Sequence, residues 1–149
     1  NLRMQVPGIG DARSLEMVME GGAMRRMSGA MMIGRTMGFR EMAGQGQFWA
    51  LSGQVGMTDQ PFAQLHLGET VRLRLVNDTA FAHAMHLHGM HFREVRADGS
   101  LGPMRDTILS YPDDPLDIAF VADNPGKWLF HCHMLGHAAS GMTTWINVT

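Results

Sequence analysis

Among 149 residues there is one cysteine, Cys132. A lone cysteine closes no intrachain disulfide, so Cys132 is a buried small hydrophobe, a reactive thiol or a metal ligand. No run of about 18 apolar residues occurs, which leaves no candidate for a membrane-spanning helix. Charged residues make up only 17% and the formal net charge is −2, so neither a nucleic-acid footprint nor a basic membrane-facing surface is expected. No internal repeat is visible, and the length suits one domain with a real core. The chain starts at Asn1 without an initiator methionine or a signal-peptide pattern, so a processed product or a piece of something longer is expected.

The chemistry that is there concentrates around that cysteine. His131-Cys132-His133-Met134-Leu135-Gly136-His137 holds three of the eight histidines, and Met142 follows ten positions after the thiol. A thiolate, two imidazoles and a weak thioether are the ligand set of a blue-copper electron-transfer centre. Cys132, His137 and Met142 supply three of these, and one histidine is owed from elsewhere. A second cluster lies upstream, at His83-Ala84-Met85-His86-Leu87-His88-Gly89.

Strand parity sorts these side chains. Side chains alternate faces along an extended chain. Cys132 therefore points one way and His131 and His133 the other; His86 and His88 share a face, and His83 takes the opposite one. Two such strands side by side make two sites: Cys132, His83, His137 and Met142 on one face, and His86, His88, His131 and His133 on the other. The backbone of residues 131 to 133 is the short bridge between them.

Residues 1–45 do not read as a domain. Pro7-Gly8, Gly21-Gly22 and scattered glycines interrupt every periodic pattern, and eight of the fifteen methionines lie between Met17 and Met42. Ordering such a stretch costs roughly 1–2 kcal/mol per residue in backbone entropy. The segment reads as the connection entering the domain, with a Met-rich insert. From residue 46 onward strands are expected at 48–51, 63–67, 71–76, 83–88, 92–96, 105–109, 116–121, 128–131 and 143–148. Short strands at regular spacing, divided by Gly, Pro, Asn and Asp, predict an all-β Greek-key sandwich over 46–149. Trp49, Trp128 and Trp145 are expected in its core.

In these motifs the sequence resembles the last cupredoxin domain of the multicopper oxidases, the family of laccase, ascorbate oxidase, ceruloplasmin and bacterial copper-tolerance oxidases. The family carries H-P-x-H-L-H-G-H-x-F and H-C-H-x3-H-x3-G-x-M/L/F; this chain reads HAMHLHGMHF from His83 and HCHMLGHAASGM from His131. Ala84 replaces the usual proline, and Met90 followed by His91 alters the end of the first motif, but neither change touches a liganding position. Asn77, Asp106-Thr107 and the turn at 123–126 extend the resemblance, which covers roughly residues 46–149.

The resemblance implies a mononuclear type 1 copper at His83, Cys132, His137 and Met142, and half of a trinuclear type 2/type 3 copper cluster at His86, His88, His131 and His133. Electrons from a reducing substrate, Cu(I) or a phenol, would pass through Cys132 to His131 and His133, and O2 would be reduced to water at the cluster. That cluster needs eight imidazoles, and this chain has no further H-x-H. The rest must come from N-terminal cupredoxin domains of the same oxidase or from another copy. The resemblance also implies a periplasmic or secreted setting, and by it the Met-rich insert would gather Cu(I), whose preference for soft thioethers gives the physical reason. A flexible loop or short amphipathic helix whose methionines fill a surface groove reads the insert equally well.

Other readings compete. A zinc site normally wants more than one thiol and closed tetrahedral ligation. A stand-alone one-copper electron carrier leaves four histidines without a purpose; a copper-binding module without O2 turnover would need only the Met-rich segment. His66 is expected on a surface strand, His91 in an outer hydrogen-bonding role, Asp106 as structural, and Asp113-Asp114 as a solvated turn. Asp78, five residues before His83, is a candidate for the edge where reductant arrives.

Overall fold

The computed structural model describes residues 9–22, 30–32, 35–37, 49–139 and 141–149. Within them a 3-10 turn at Ile9–Asp11 leads into β1 (Arg13–Gly21), β2 (Ala30–Met32), β3 (Arg35–Met37), β4 (Trp49–Leu51), β5 (Ala63–Leu65), β6 (Thr70–Asp78) and β7 (His83–Leu87). There follow β8 (Phe92–Val95), β9 (Leu101–Arg105), β10 (Thr107–Ser110), β11 (Leu116–Val121), β12 (Gly126–Cys132), the short helix α1 (Leu135–Ala139) and β13 (Thr143–Val148).

Alternation builds the core. In β6, Val71, Leu73 and Leu75 are buried while Arg72 and Arg74 point away, as a half-buried strand requires. The strands assemble into a six-stranded sheet, β4-β1-β6-β11-β8-β9, and a five-stranded sheet, β10-β7-β12-β13-β5. Both are mixed: β1 runs parallel to β6 and β5 parallel to β13, and the other pairs are antiparallel. The inward faces meet in one cluster that includes Phe92, Phe120, Leu73 and Met17 from the first sheet and Met85, Leu87, Phe130 and Cys132 from the second. Each such side chain removed from water contributes roughly 1.5–3 kcal/mol. The result is a cupredoxin-like β-sandwich.

The sandwich departs from the expectation in three places. Arg13–Gly21, assigned to the connection ahead of residue 46, is β1; it pairs with β6 from Arg13 to Glu20 and buries Met17 and Met19 completely. Unbranched methionines at alternating positions hid its strand period. The strand expected over 105–109 is two strands: Arg105 ends β9 in one sheet, Thr107 starts β10 in the other, and the chain changes sheets at Asp106. The third is α1, a single turn in the loop after Cys132. Of the tryptophans, Trp49 is buried, whereas Trp128 and Trp145 are only half-buried. Of the remaining methionines of the expected insert, Met31, Met32 and Met37 fall in the paired strands β2 and β3, and Met24, Met27 and Met42 lie outside the described residues.

Candidate metal centre

Two neighbouring strands and one tight loop bring the candidate ligands together. β12 pairs antiparallel with β7, with Phe130 opposite Leu87, His131 opposite His86 and Cys132 opposite Met85. This register puts Cys132 on the inward face beside His83, two residues from Met85. After Cys132 the chain turns through α1 and returns. His137 N–H donates to Met134 O, Met142 N–H to His137 O, and Cys132 N–H to Met142 O at 3.1 Å. The ten-residue excursion is thus tied at its ends, and Gly141 takes a φ of 116° to let it close.

On the inward face Cys132 Sγ lies 3.8 Å from Nδ1 of His83 and 3.8 Å from Nδ1 of His137, and the two Nδ1 atoms are 3.1 Å apart. The three ligand atoms form the one compact His/Cys/Asp/Glu group among the described residues able to hold a metal ion. His83, Cys132 and Met142 are buried, and His137 is half-buried. Burial, and then the charge His137 would carry, push the His83 pKa down to about 4. Burial lowers His137 as well. Burial raises the Cys132 thiol, against backbone hydrogen bonds from Met134 and Ala84 that favour the thiolate. The donor set, one sulfur and two neutral imidazole nitrogens converging on one point, fits a soft, imidazole-binding ion such as copper. Trp49 stands edge-on to the His83 ring, with centroids 4.8 Å apart, and 4.7 Å from the His137 ring, which screens both imidazoles.

The outward face of the same strands carries the second cluster. His88 Nε2 and His131 Nε2 are 2.9 Å apart, and the His86 ring lies 4.6 Å from His88, 5.6 Å from His131 and 5.4 Å from His133. Their hydrogen bonds fix the usable nitrogens. His131 Nδ1–H donates to Cys132 O at 2.8 Å, and His86 Nδ1–H donates to Asp106 O at 3.0 Å. Carbonyl oxygens only accept, so both imidazoles carry their proton on Nδ1; the Nε2 lone pair of His131 faces His88 Nε2 at 2.9 Å. The inward site brings Nδ1 atoms toward the Cys132 sulfur, whereas His86 and His131 of the outward cluster are held by their Nδ1 atoms and present Nε2. Burial, followed by the neighbouring imidazoles, lowers the His88 pKa. Asp106 earns its place structurally: where the chain changes sheets, its carbonyl takes both Leu87 N–H and His86.

His66 and His91 are exposed. Asp78 ends β6 opposite Glu20. Asp113 adopts a φ of 57° in the turn closed by Tyr111 and Asp114. Sequence reasoning missed Thr79, whose buried hydroxyl is 2.8 Å from His83 Nε2, and the seat of Trp49 against both ligand rings. The Asn-Asp-Thr run just before His83 is the only signal for the former.

A sequence model of the multicopper oxidases matches residues 35–149. Copper resistance protein A of Pseudomonas syringae pv. tomato is 38% identical over 94 residues, 63% of this chain and 15% of that protein. The solved structure of Lac15 from a marine microbial metagenome shares 54% identity over 66% of this chain and 25% of its own, with a TM-score of 0.57. A multi-copper oxidase from Pseudomonas Thermotolerans aligns over 96% of this chain and 31% of its own at 25% identity, with a TM-score of 0.72. The chain thus spans less than a third of the length of each. With that match over most of its length, the chain belongs to the multicopper oxidase family.

Proposed function

We propose that this chain is the electron-entry domain of a multicopper oxidase, with a type 1 copper site at His83, Cys132, His137 and Met142. On its other face it contributes His86, His88, His131 and His133 to a trinuclear cluster completed by N-terminal cupredoxin domains or by a second copy. The observation that carries this reading is the back-to-back arrangement: Cys132 faces two imidazoles inward, and its two chain neighbours face the histidine cluster outward. Copper held at these positions would supply one-electron chemistry on the inner face and, with the completing domains, the reduction of O2 by four electrons and four protons to two waters.

The chain's own residues do the rest. His83 and His137 bring their Nδ1 atoms to 3.8 Å from the Cys132 sulfur. Met142, buried in the same core cluster, is the candidate for the weak axial position. Cys132 joins His131 twice, through the peptide bond and through the His131 Nδ1–H hydrogen bond to the Cys132 carbonyl. That gives electrons a short bonded route across the sheet. Trp49 keeps bulk water from the imidazoles. The reductant is Cu(I) or a phenol; the name of copper resistance protein A favours the former, and a periplasmic or secreted setting suits it.

Copper loading of the purified chain, followed by visible absorption, tests the reading. An intense thiolate-to-copper band that disappears in Cys132→Ser supports it. A wild-type chain that binds copper without that band, or a band that survives Cys132→Ser, defeats it.

A further inference from the structure

The chain fixes which nitrogen of His83 is free, and it does so with a hydroxyl that no ligand motif contains. Thr79 Oγ1 is completely buried and has four polar neighbours: Asn77 Oδ1 at 2.6 Å, His83 Nε2 at 2.8 Å, Phe81 O at 3.0 Å and Phe81 N at 3.2 Å. A hydroxyl has one proton to give and two lone pairs with which to accept. Where that single proton goes decides everything downstream.

Asn77 settles the matter. Its Nδ2 donates to two carbonyls, Phe81 O at 2.8 Å and Ser110 O at 2.9 Å, so the amide has only one sensible orientation. Oδ1 then faces Thr79, where it already accepts the Thr79 backbone N–H at 3.0 Å. The hydroxyl proton follows the shortest contact, to Oδ1. Phe81 O does not need it, because Asn77 Nδ2 already serves that carbonyl. Both hydroxyl lone pairs are now acceptors. One takes Phe81 N–H, and the other faces His83 Nε2, which must therefore carry hydrogen.

We propose that Asn77 and Thr79 form a tautomer lock that holds His83 as the Nε2–H imidazole and so presents its Nδ1 lone pair to Cys132 and His137. The lock rests on the proposed role of His83 as a copper ligand. It makes Thr79 a positioning residue. The opposite tautomer would set the Nε2 lone pair against hydroxyl lone pairs in a site closed to water and put a proton where the metal belongs. Outer hydrogen bonds of this kind fix ring orientation and raise ligand basicity, and losing one typically costs 10–100-fold in metal affinity.

The geometry is local. Residues 77 to 83 contain the whole device, so it forms with the β6–β7 connection and needs no other part of the chain except Ser110 O. Thr79→Val keeps the shape and removes the hydroxyl; Thr79→Ser restores it.

Nitrogen-15 NMR of the histidine side chains, recorded on metal-free protein, reads the tautomer directly. The expected result is Nε2–H at His83 in the wild type and in Thr79→Ser, with Nδ1–H populated in Thr79→Val. Copper affinity, measured by competition with a chelator, is expected to fall 10–100-fold in Thr79→Val and to recover in Thr79→Ser. Nδ1–H at His83 in the wild type overturns the proposal even if Thr79→Val does not fold. So does a folded Thr79→Val that keeps Nε2–H and binds copper as the wild type does. A wild type that shows Nε2–H yet binds no copper at Cys132 sinks the proposed function and leaves the lock standing.

Discussion

His83 and His137, 54 residues apart in sequence, bring their Nδ1 atoms to 3.1 Å. Two imidazolium ions cannot share that spacing, and burial drives both rings neutral, with the His83 pKa at about 4. Cys132 moves the other way, its thiol held protonated by burial. The three groups thus reach neutral pH in different conditions for a metal: two ready, one capped by a proton.

Copper binding near pH 7 should therefore release about one proton per ion, from Cys132 and not from the imidazoles. Calorimetry in buffers of different ionisation enthalpy gives that number. Apparent affinity should rise about tenfold per pH unit above the ordinary histidine pKa of about 6.5, because burial holds both imidazoles neutral there and only the thiol titrates. Release of no proton would mean that Cys132 is already a thiolate. Release of two or more would mean that a histidine is charged in the metal-free site.

A different titration governs the scaffold. Burial by itself would raise the Asp117 pKa, but hydrogen bonds and charge from Arg74 and Arg72 outweigh it and hold the carboxyl below its ordinary value. Asp117 Oδ2 is 2.6 Å from Arg72, and Oδ1 is 2.8 Å from Arg74, across the β6–β11 pair. Because the folded pKa is depressed, the unfolded chain takes up this proton first. The stabilisation is complete above the ordinary carboxylate range and is lost as pH falls through the folded value. Asp117→Asn should cost about 1–3 kcal/mol at pH 7. The gap from the wild type should close as pH drops into the acid range. Thermal unfolding at a series of pH values checks both; a gap that does not narrow in acid would assign the loss to packing.

How far the sequence was legible follows from which signals are local. The approach of His83, Cys132 and His137 could be read because one short loop carries the last two and parity in a strand decides the face of His83. The two-face division followed from the same parity and matches the observed placement of all four outward histidines. β1 was hidden because Leu15, Met17 and Met19 alternate without β-branching amid a methionine-rich stretch. The change of sheet at Asp106 was hidden because apolar alternation gives no sign that one strand has ended and another begun. Asn77 and Thr79 read as turn residues, since nothing in a sequence shows that a hydroxyl is buried against an imidazole.

Gly89 shows how tightly the end of β7 is built. It has a φ of +76°, and a Cβ there would lie 2.1 Å from the Trp128 ring. Trp128 Nε1–H donates to Asn124 O, and Asn124 Nδ2 donates back to Gly89 O, each at 2.9 Å, closing a ring of contacts beside His88. Gly89→Ala therefore meets two penalties, roughly 1–2 kcal/mol for the left-handed backbone and about 1–3 kcal/mol for overpacking. The melting temperature should fall by roughly 5–15 °C. A fall of under a degree or two would show that Trp128 swings aside freely and that the ring of contacts does not hold this turn.

The two histidine sites should respond separately, because the sheet stands between them. His88 lies on the outward face with Nε2 against His131, while Cys132 faces the core with His83 and His137. His88→Gln removes one half-buried outward imidazole and touches no inward ligand. Its effect on stability should stay within about 0.5 kcal/mol, as for a substitution away from the core. The thiolate-to-copper band of the loaded chain should keep its position and intensity, and O2 turnover in an oxidase assembled with its N-terminal domains should be lost. His137→Gln should do the reverse to the colour and leave the outward cluster in place. Loss of the band in His88→Gln would mean that the faces are coupled through the β7–β12 pair strongly enough to act as one site, and the division into an electron-entry face and a cluster face would have to be abandoned.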